Sequence, residues 1–145
     1  MALHVDIRKR LGSFSLDVAF TARDGEVTGL LGASGCGKSL TLKCVAGIER
    51  PDEGRIELDG RVLFDSAARI DLPPQKRQVG YLFQSYALFP NMTVEQNIAA
   101  GVRDRSARAQ TTARLIRALW LEGQEKKYPR QLSGGQQQRA ALARI

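Results

Sequence analysis

The sequence predicts an α/β fold in which a buried strand leads through a glycine-rich loop into a helix. Three observations carry this prediction: a short apolar run over residues 27–31, a loop with three glycines directly after it, and a helical pattern from Lys38 to Ala46. Gly47 follows that pattern in the position of a helix C-cap. The length of 145 residues fits one domain or part of a larger one.

Short strands are predicted on both sides of this loop and helix. Residues 3–7 form one strand, and residues 14–20 alternate apolar and polar side chains. Residues 55–58 and 62–64 flank Asp59-Gly60, a dipeptide that favours a two-residue hairpin turn. A further apolar strand is predicted over residues 79–83, immediately before Gln84.

Three helices are predicted in the second half of the chain. Thr93 with Gln96 and Ser133 with Gln136 have capping-box spacing, which predicts helices over residues 94–100 and from residue 134 onward. A helix over residues 107–121 is predicted between them. Its apolar stripe, expected to be a packing face, consists of Leu115, Ile116, Leu119 and Trp120.

The short apolar runs and the low cysteine count argue against a membrane-spanning protein and against a protein stabilised by disulfides. The apolar runs are far shorter than the roughly 20 residues of a membrane helix, and the N-terminus lacks a secretory pattern. We therefore expect a cytosolic protein. Cys36 and Cys44 are too few for a disulfide framework, and we expect both to be small buried thiols.

The net charge of +7 is concentrated in the last third of the chain. Residues 103–130 contain 8 Lys or Arg against 3 Asp or Glu. Such a segment fits either a solvated basic helix face or contact with nucleic acid or acidic lipid.

The loop itself, residues 32–39, reads GASGCGKS and matches the pattern G-x-x-x-x-G-K-[ST] in full. Glycines let backbone N–H groups curl into an anion nest, and the following helix directs partial positive charge at it. The pattern predicts a nucleotide's phosphates here, with Lys38 reaching the β- and γ-phosphates and Ser39 ligating Mg²⁺. The predicted binding residues are Gly32, Ala33, Ser34, Gly35, Cys36, Gly37, Lys38, Ser39, Leu40 and Thr41.

A second motif, residues 132–136, reads LSGGQ. Taken alone it is an ordinary capped helix N-terminus. With the phosphate loop and with Gln84 between them, its spacing resembles the ATP-binding cassette (ABC) family over nearly the whole chain. The resemblance implies a phosphate-loop NTPase fold in one ABC ATP-binding domain that is incomplete after the signature motif. Residues 1–84 would form the N-terminal β part and RecA-like core, and residues 85–145 a helical subdomain.

In that family two cassettes enclose two ATP molecules, so the phosphate loop of one faces the signature of the other. The resemblance therefore implies a second copy of this subunit as a partner. It also implies that Gln84, like the Q-loop glutamine, contacts Mg²⁺ or the attacking water and acts with Lys38 in catalysis. ATP and Mg²⁺ are the implied cofactors. The implied contacts with the partner's ATP are Ser133, Gly134, Gly135 and Gln136.

Residues 84–94 resemble the corresponding region of import-type transporter ATPases, where a coupling helix of a membrane permease docks. This implies docking near Gln84, Tyr86, Leu88 and Phe89, although core packing would also explain the last three. Residues 60–66 and 70–77 are similar to the molybdate/sulfate oxyanion branch. The resemblance implies a peripheral subunit at the cytoplasmic face of the cell membrane. Its ATP hydrolysis would drive import of molybdate or a related oxyanion, with no direct nucleic-acid partner.

Two features depart from the family pattern. Leu11 stands where many relatives stack an aromatic ring on adenine, and Phe14 is the candidate substitute. No apolar strand with Asp-Glu follows the signature, and the sole histidine is His4, so we expect a truncated chain that is inactive alone. Two alternatives stay open: a soluble ABC-type ATPase acting on nucleic acid or ribosomes, and a non-hydrolytic nucleotide-binding fragment.

Overall fold

The computed structural model describes residues 2–145, which form two compact units. The first unit ends at Tyr81, and the second covers Leu82–Ile145. None of the helices in residues 2–145 has both the length and the apolar character needed to cross a lipid bilayer.

An antiparallel sheet forms most of the first unit. Its five strands run in the order β2-β1-β3-β4-β5, and every neighbouring pair is antiparallel. The strands are β1 (Ala2–Leu11), β2 (Phe14–Arg23), β3 (Glu53–Leu58), β4 (Arg61–Asp65) and β5 (Ile70–Asp71). The strands predicted over residues 3–7, 14–20, 55–58 and 62–64 are confirmed, and each extends beyond its predicted bounds. Asp59 and Gly60 have φ values of 54° and 77°, which confirms the predicted hairpin turn.

Two helices belong to the same unit, α1 (Lys38–Ala46) and the short α2 (Pro74–Arg77). Alternate side chains of the sheet pack against α1, because successive residues of a strand point to opposite faces. Gly47 ends α1 with a φ of 77° and donates its N–H to the Cys44 carbonyl at 3.1 Å, which confirms the predicted C-cap. The core residues are Val5, Ile7, Leu16, Cys44, Val45, Ile56, Leu63 and Phe64.

Two of the predicted strands are wrong. Residues 27–31 and 79–83 are not strands, and the side chains of Val27 and Leu31 are fully exposed. An apolar run forms a strand only where a neighbour takes up its N–H and C=O groups. Within residues 2–145 the sheet is bounded by β2 and β5, and no strand lies beside either run.

Helices make up the ordered structure of the second unit. In residues 82–145 they are α3 (Val94–Gly101), α4 (Arg108–Ala118) and α5 (Gly134–Arg144), with a single 3-10 turn over Pro129–Gln131. Both predicted capping boxes are confirmed: Thr93 caps α3 and Ser133 caps α5. The helices share one core, formed by Val94, Ile98, Ile116, Leu121, Leu132, Ala140 and Ala143.

The predicted stripe of α4 is confirmed at three positions and wrong at Trp120. Ile116 is buried, and Leu115 and Leu119 pack against the shared core. Trp120 is 81% exposed, because α4 ends at Ala118 and Trp120 has a left-handed φ of 51°. The chain therefore leaves the helical phase, and Leu121 is buried instead.

Candidate functional site

The glycine-rich loop leads into α1 so that three backbone donors at the helix start are left uncapped. The first i→i−4 bond of α1 runs from Thr41 N to Gly37 O over 2.8 Å. The amides of Lys38, Ser39 and Leu40 precede that bond, and no side chain caps them. They lie at the positive end of the helix dipole, an arrangement that binds anions.

Gly37 allows this loop to turn closely against the sheet. Its φ is +97°, and a Cβ on Gly37 would lie 2.7 Å from Leu16 Cδ1 and 3.1 Å from Phe14 Cζ. Leu16 is buried in the core and cannot easily move aside. Phe14, the candidate for adenine stacking, thus packs beside the loop and on the core, whereas Leu11 is exposed.

The Lys38 ammonium lies over the loop. Its Nζ donates to the carbonyls of Gly32 and Ala33 at 2.7 Å each and lies 3.6 Å from Cys36 Sγ. A single positive charge is therefore held over the loop that leads into the uncapped amides. Cys36 is exposed on this loop, so the prediction that it is a buried thiol is wrong.

Residues 39–44 of α1 divide between the surface and the core. Ser39 is exposed, whereas Thr41 is buried and uses both its N–H and its hydroxyl on the Gly37 carbonyl. Cys44 is fully buried as predicted, and burial raises the pKa of its thiol to about 11. Ser39 is therefore the free hydroxyl at the start of α1.

The signature residues form the closed N-terminus of α5 in the second unit. Ser133 Oγ accepts a hydrogen bond from Gln136 N at 3.3 Å, and Ser133 N donates to Gln136 Oε1 at 2.9 Å. A Cβ on Gly134 would meet open space, and one on Gly135 would lie 3.7 Å from an Arg139 nitrogen. This end of α5 carries its own cap, whereas the start of α1 has none.

Gln84 lies in an exposed turn of the second unit. Among the candidate docking residues, Leu88 packs against the helical core, Tyr86 is half-buried, and the ring of Phe89 is exposed. Core packing thus accounts for Leu88, and an exposed surface remains at Phe89.

Arg77 supports the site, and the sequence analysis missed it. Its side chain is completely buried, and its Nη1 donates to the carbonyls of Cys44 and Val45 at 2.8 and 3.0 Å. Its Nε donates to Leu72 O at 2.7 Å and its Nη2 to Asp71 Oδ1 at 2.9 Å. Burial lowers the pKa of Arg77, and the Asp71 carboxylate opposes that shift. The guanidinium thus fixes the end of α1 opposite the loop.

Asn97 has a similar role in the second unit. It is completely buried and accepts from Phe89 N at 2.8 Å, while its Nδ2 donates to the carbonyls of Phe89, Met92 and Thr93 at 3.0–3.1 Å. A lone polar residue on the apolar side of a helix was the one sequence signal that could have indicated it.

Comparisons with known proteins agree with this arrangement. The model of the ABC transporter family matches residues 16–145. The chain is 45% identical over 144 residues to the molybdenum import ATP-binding protein ModC of Paramagnetospirillum magneticum, covering 98% of this chain and 39% of that protein. It is 50% identical over 141 residues to the sulfate/thiosulfate import ATP-binding protein CysA 2 of Chromobacterium violaceum, covering 94% and 37%. The putrescine transport ATP-binding protein PotG of Escherichia coli is 49% identical over 132 residues, covering 88% and 33%.

The chain therefore spans about two fifths of the length of the curated relatives it matches. Among solved structures, a dimeric bacterial ABC transporter cassette matches with a TM-score of 0.76 and 26% identity over 99% of this chain and 68% of that one. A post-hydrolysis dimer of the same cassette, bound to ADP and Pi, matches with a TM-score of 0.77, 27% identity and the same coverage. With the family model spanning all but the first 15 residues, the chain belongs to the ABC transporter family and has the α/β fold of its ATP-binding cassettes.

Proposed function

We propose that this chain binds ATP with Mg²⁺ through the phosphate loop. The observation that carries the proposal is the set of uncapped amides at Lys38, Ser39 and Leu40, directly after the loop over which the Lys38 ammonium lies. Phosphate oxygens are charged acceptors and compete well with the neutral loop carbonyls that Lys38 contacts. The matching cassette bound to ADP and Pi supports a nucleotide as the ligand.

The donor set near the loop fits Mg²⁺, which prefers oxygen ligands. The exposed Ser39 hydroxyl is such a ligand. Gln84 is proposed as a second Mg²⁺ ligand only because its position resembles that of the Q-loop glutamine. When bound, Mg²⁺ neutralises charge on the β- and γ-phosphates. Lys38 and the α1 amides would orient those phosphates, and Gln84 is proposed to act at the γ-phosphate side.

We further propose a second copy of the subunit as partner, with residues 133–136 contacting ATP bound to that copy. The dimeric solved cassettes support this arrangement. The capping box fixes the Ser133 and Gln136 side chains on each other, so the start of α5 is already ordered. Groups that are already ordered bind a ligand without the entropic cost of ordering them.

For the whole protein we propose ATP hydrolysis coupled to import of a solute through a membrane permease, at the cytoplasmic face of the membrane. The molybdenum and sulfate/thiosulfate relatives are import proteins, which supports import in general and an oxyanion as cargo. Phe89, with its exposed ring, is the best candidate in this chain for contact with the permease, near Gln84, Tyr86 and Leu88.

At two of the eight cations of the basic segment, residues 103–130, partners within the second unit favour a solvated face over a nucleic-acid surface. Lys126 pairs with Glu95 at 2.7 Å, and Arg108 donates to the Val102 carbonyl at 3.2 Å. These cations already have partners within the second unit.

Binding of a fluorescent ATP analogue with Mg²⁺ tests the proposal. Lys38→Met should weaken binding roughly 10- to 100-fold, because a charge-assisted hydrogen bond contributes about 1.5–3 kcal/mol. Lys43→Met, on the same helix, is the matched control and should bind as the unaltered chain does. Equal affinity of the Lys38 variant and the control would refute the assigned site.

The cargo is tested with the full-length protein and its permease. Uptake of labelled molybdate, sulfate and putrescine is compared in cells with and without the Lys38→Met substitution. We expect oxyanion uptake that depends on Lys38. Lys38-dependent uptake of putrescine alone would overturn the oxyanion assignment.

A further inference from the structure

Two consecutive residues after Gln84 have an unfavourable backbone. Tyr86 and Ala87 have φ values of 60° and 46°, in the left-handed region. This conformation is costly for residues with a Cβ, because the Cβ approaches the following carbonyl oxygen. Two such residues in succession persist only where surrounding groups hold them.

Arg144, near the end of α5, supplies that support. Its Nη1 donates to Ala87 O at 2.7 Å and its Nη2 to Tyr86 O at 3.3 Å. Its guanidinium carbon lies 4.9 Å from the centroid of the Phe89 ring, within range of a cation–π contact. Burial lowers the pKa of Arg144, in keeping with a partly desolvated guanidinium.

We propose that Arg144 is a positioning residue that makes the segment after Gln84 move together with helix α5. The planar guanidinium binds two successive carbonyls and one ring of that segment, which a point charge cannot do. The other end of α5 is the closed box of Ser133 and Gln136. A displacement of the signature end would therefore be passed along the helix to Tyr86, Ala87 and Phe89.

The consequence for function rests on the function proposed above, because that function gives Gln84 and the signature their roles. Contact of the signature with a partner's ATP would shift α5, and Arg144 would carry the shift to the surface proposed for the permease. In this proposal Arg144 acts through the segment that it holds.

Asn97 holds a different part of the same segment, so a local effect of Arg144 can be distinguished from a general loss of structure. Asn97 holds both Phe89 N and Phe89 O from helix α3. Tyr86 N donates to Phe83 O at 2.8 Å, inside the turn that Arg144 closes. Removing Arg144 should therefore free the Tyr86 turn and leave Phe89 N bonded to Asn97.

Amide hydrogen exchange of this chain, followed by NMR, measures that difference. In Arg144→Gln we expect Tyr86 N–H to exchange at least tenfold faster and Phe89 N–H to change by less than twofold. In Arg144→Lys the Tyr86 exchange rate should lie between these values, since lysine keeps the positive charge but lacks the planar guanidinium that bonds two carbonyls. Arg114→Gln, an exposed position on α4, is the control and should leave both rates unchanged.

An unchanged Tyr86 rate in Arg144→Gln would overturn the proposal. Equal acceleration of Tyr86, Phe89 and the α5 amides would also overturn it, because Arg144 would then only stabilise the unit as a whole.

The coupling is tested with the full-length protein and permease. In Arg144→Gln we expect the KM for ATP to stay within twofold and permease-stimulated kcat to fall about tenfold, with partial rescue in Arg144→Lys. Unchanged stimulation would overturn the coupling role. Failure of the unaltered protein to bind ATP would instead refute the proposed function, and the exchange result would still decide whether Arg144 holds the turn.

Discussion

Replacement of Arg77 by methionine should loosen the end of α1 that lies opposite the phosphate loop. Methionine is an unbranched, shorter side chain with no hydrogen-bond donor, so the change removes the four bonds of the guanidinium and leaves part of its volume unfilled. Asp71 would keep Arg50 as a neighbour at 3.6 Å.

The expected cost follows from the acceptors that lose a donor. The Cys44 carbonyl keeps the N–H of Gly47 at 3.1 Å, whereas the Val45 and Leu72 carbonyls each lose the bond from Arg77. An unpaired buried acceptor costs about 1–3 kcal/mol, which gives roughly 2–6 kcal/mol for the pair. The variant no longer buries a charge, which offsets part of that cost. We expect a net loss of about 3 kcal/mol, or roughly a 150-fold rise in local opening.

Thiol labelling reports this opening at a defined place. Cys36 is exposed and reacts at once, whereas Cys44 is fully buried and directly beside the carbonyls that Arg77 holds. Burial raises the pKa of Cys44 to about 11, so little of the folded protein carries the reactive thiolate at pH 8. Labelling of the second thiol therefore proceeds through opening, and its rate should rise about 100-fold in Arg77→Met.

Arg50→Met is the matched control. The Arg50 side chain is 72% exposed and lies 3.6 Å from the same Asp71 carboxylate. An exposed pair contributes little, so this control should change the rate by about twofold at most. Cys44 labelling that is no faster in Arg77→Met than in Arg50→Met would refute the reasoning.

Three further substitutions test other parts of the fold. Gly47→Ala should cost roughly 2 kcal/mol by the same labelling assay, because φ is 77° and the new Cβ would lie 2.5 Å from the fixed Arg77 Nε; unchanged labelling would contradict this. Asn97→Ala should lower the stability of α3 by about 2–3 kcal/mol, measured by amide exchange at Ile98, since Phe89 and Met92 lose hydrogen bonds. The control is Gln138→Ala, at an exposed position of α5, and an effect of Asn97→Ala smaller than that of the control would count against the prediction. Trp120→Gly should raise the thermal midpoint of the second unit, with a gain of about 0.5–1 kcal/mol, because φ is 51° and the ring is 81% exposed; a lower midpoint would show that the ring has a packing role.

Short-range signals accounted for the features that the sequence predicted correctly. The Asp59-Gly60 turn, the Thr93 and Ser133 boxes and the Gly47 cap each depend on residues within a few positions of one another. Their backbone requirements are visible locally, so they could be identified without tertiary information.

The missed residues and the wrong strand predictions involve structural partners that lie far away in the sequence. Arg77 bonds Cys44, 33 positions away, and Arg144 bonds Ala87, 57 positions away, with no local pattern to indicate either. Residues 27–31 are apolar enough for a strand, but strand formation requires a neighbour that periodicity does not reveal. Trp120 fits the helical stripe by spacing, and only the early end of α4 takes it out of the core.

The phosphate loop, like the hairpin turn and the helix caps, was predicted from residues close together in the sequence. The residues of the phosphate loop occupy one continuous stretch, so the motif alone predicted Lys38 as the first residue of the helix that follows it. The proposed roles of Gln84 and of residues 133–136 depend on a partner and on a bound nucleotide, and they stay predictions.

The most direct test of the central claim is an NMR titration of this chain with ATP and Mg²⁺. The account predicts saturable shifts that are largest at the amides of Lys38, Ser39 and Leu40 and that are lost in Lys38→Met. Saturable shifts confined to other amides, or none at these three, would contradict the assignment of the phosphate loop as the nucleotide site.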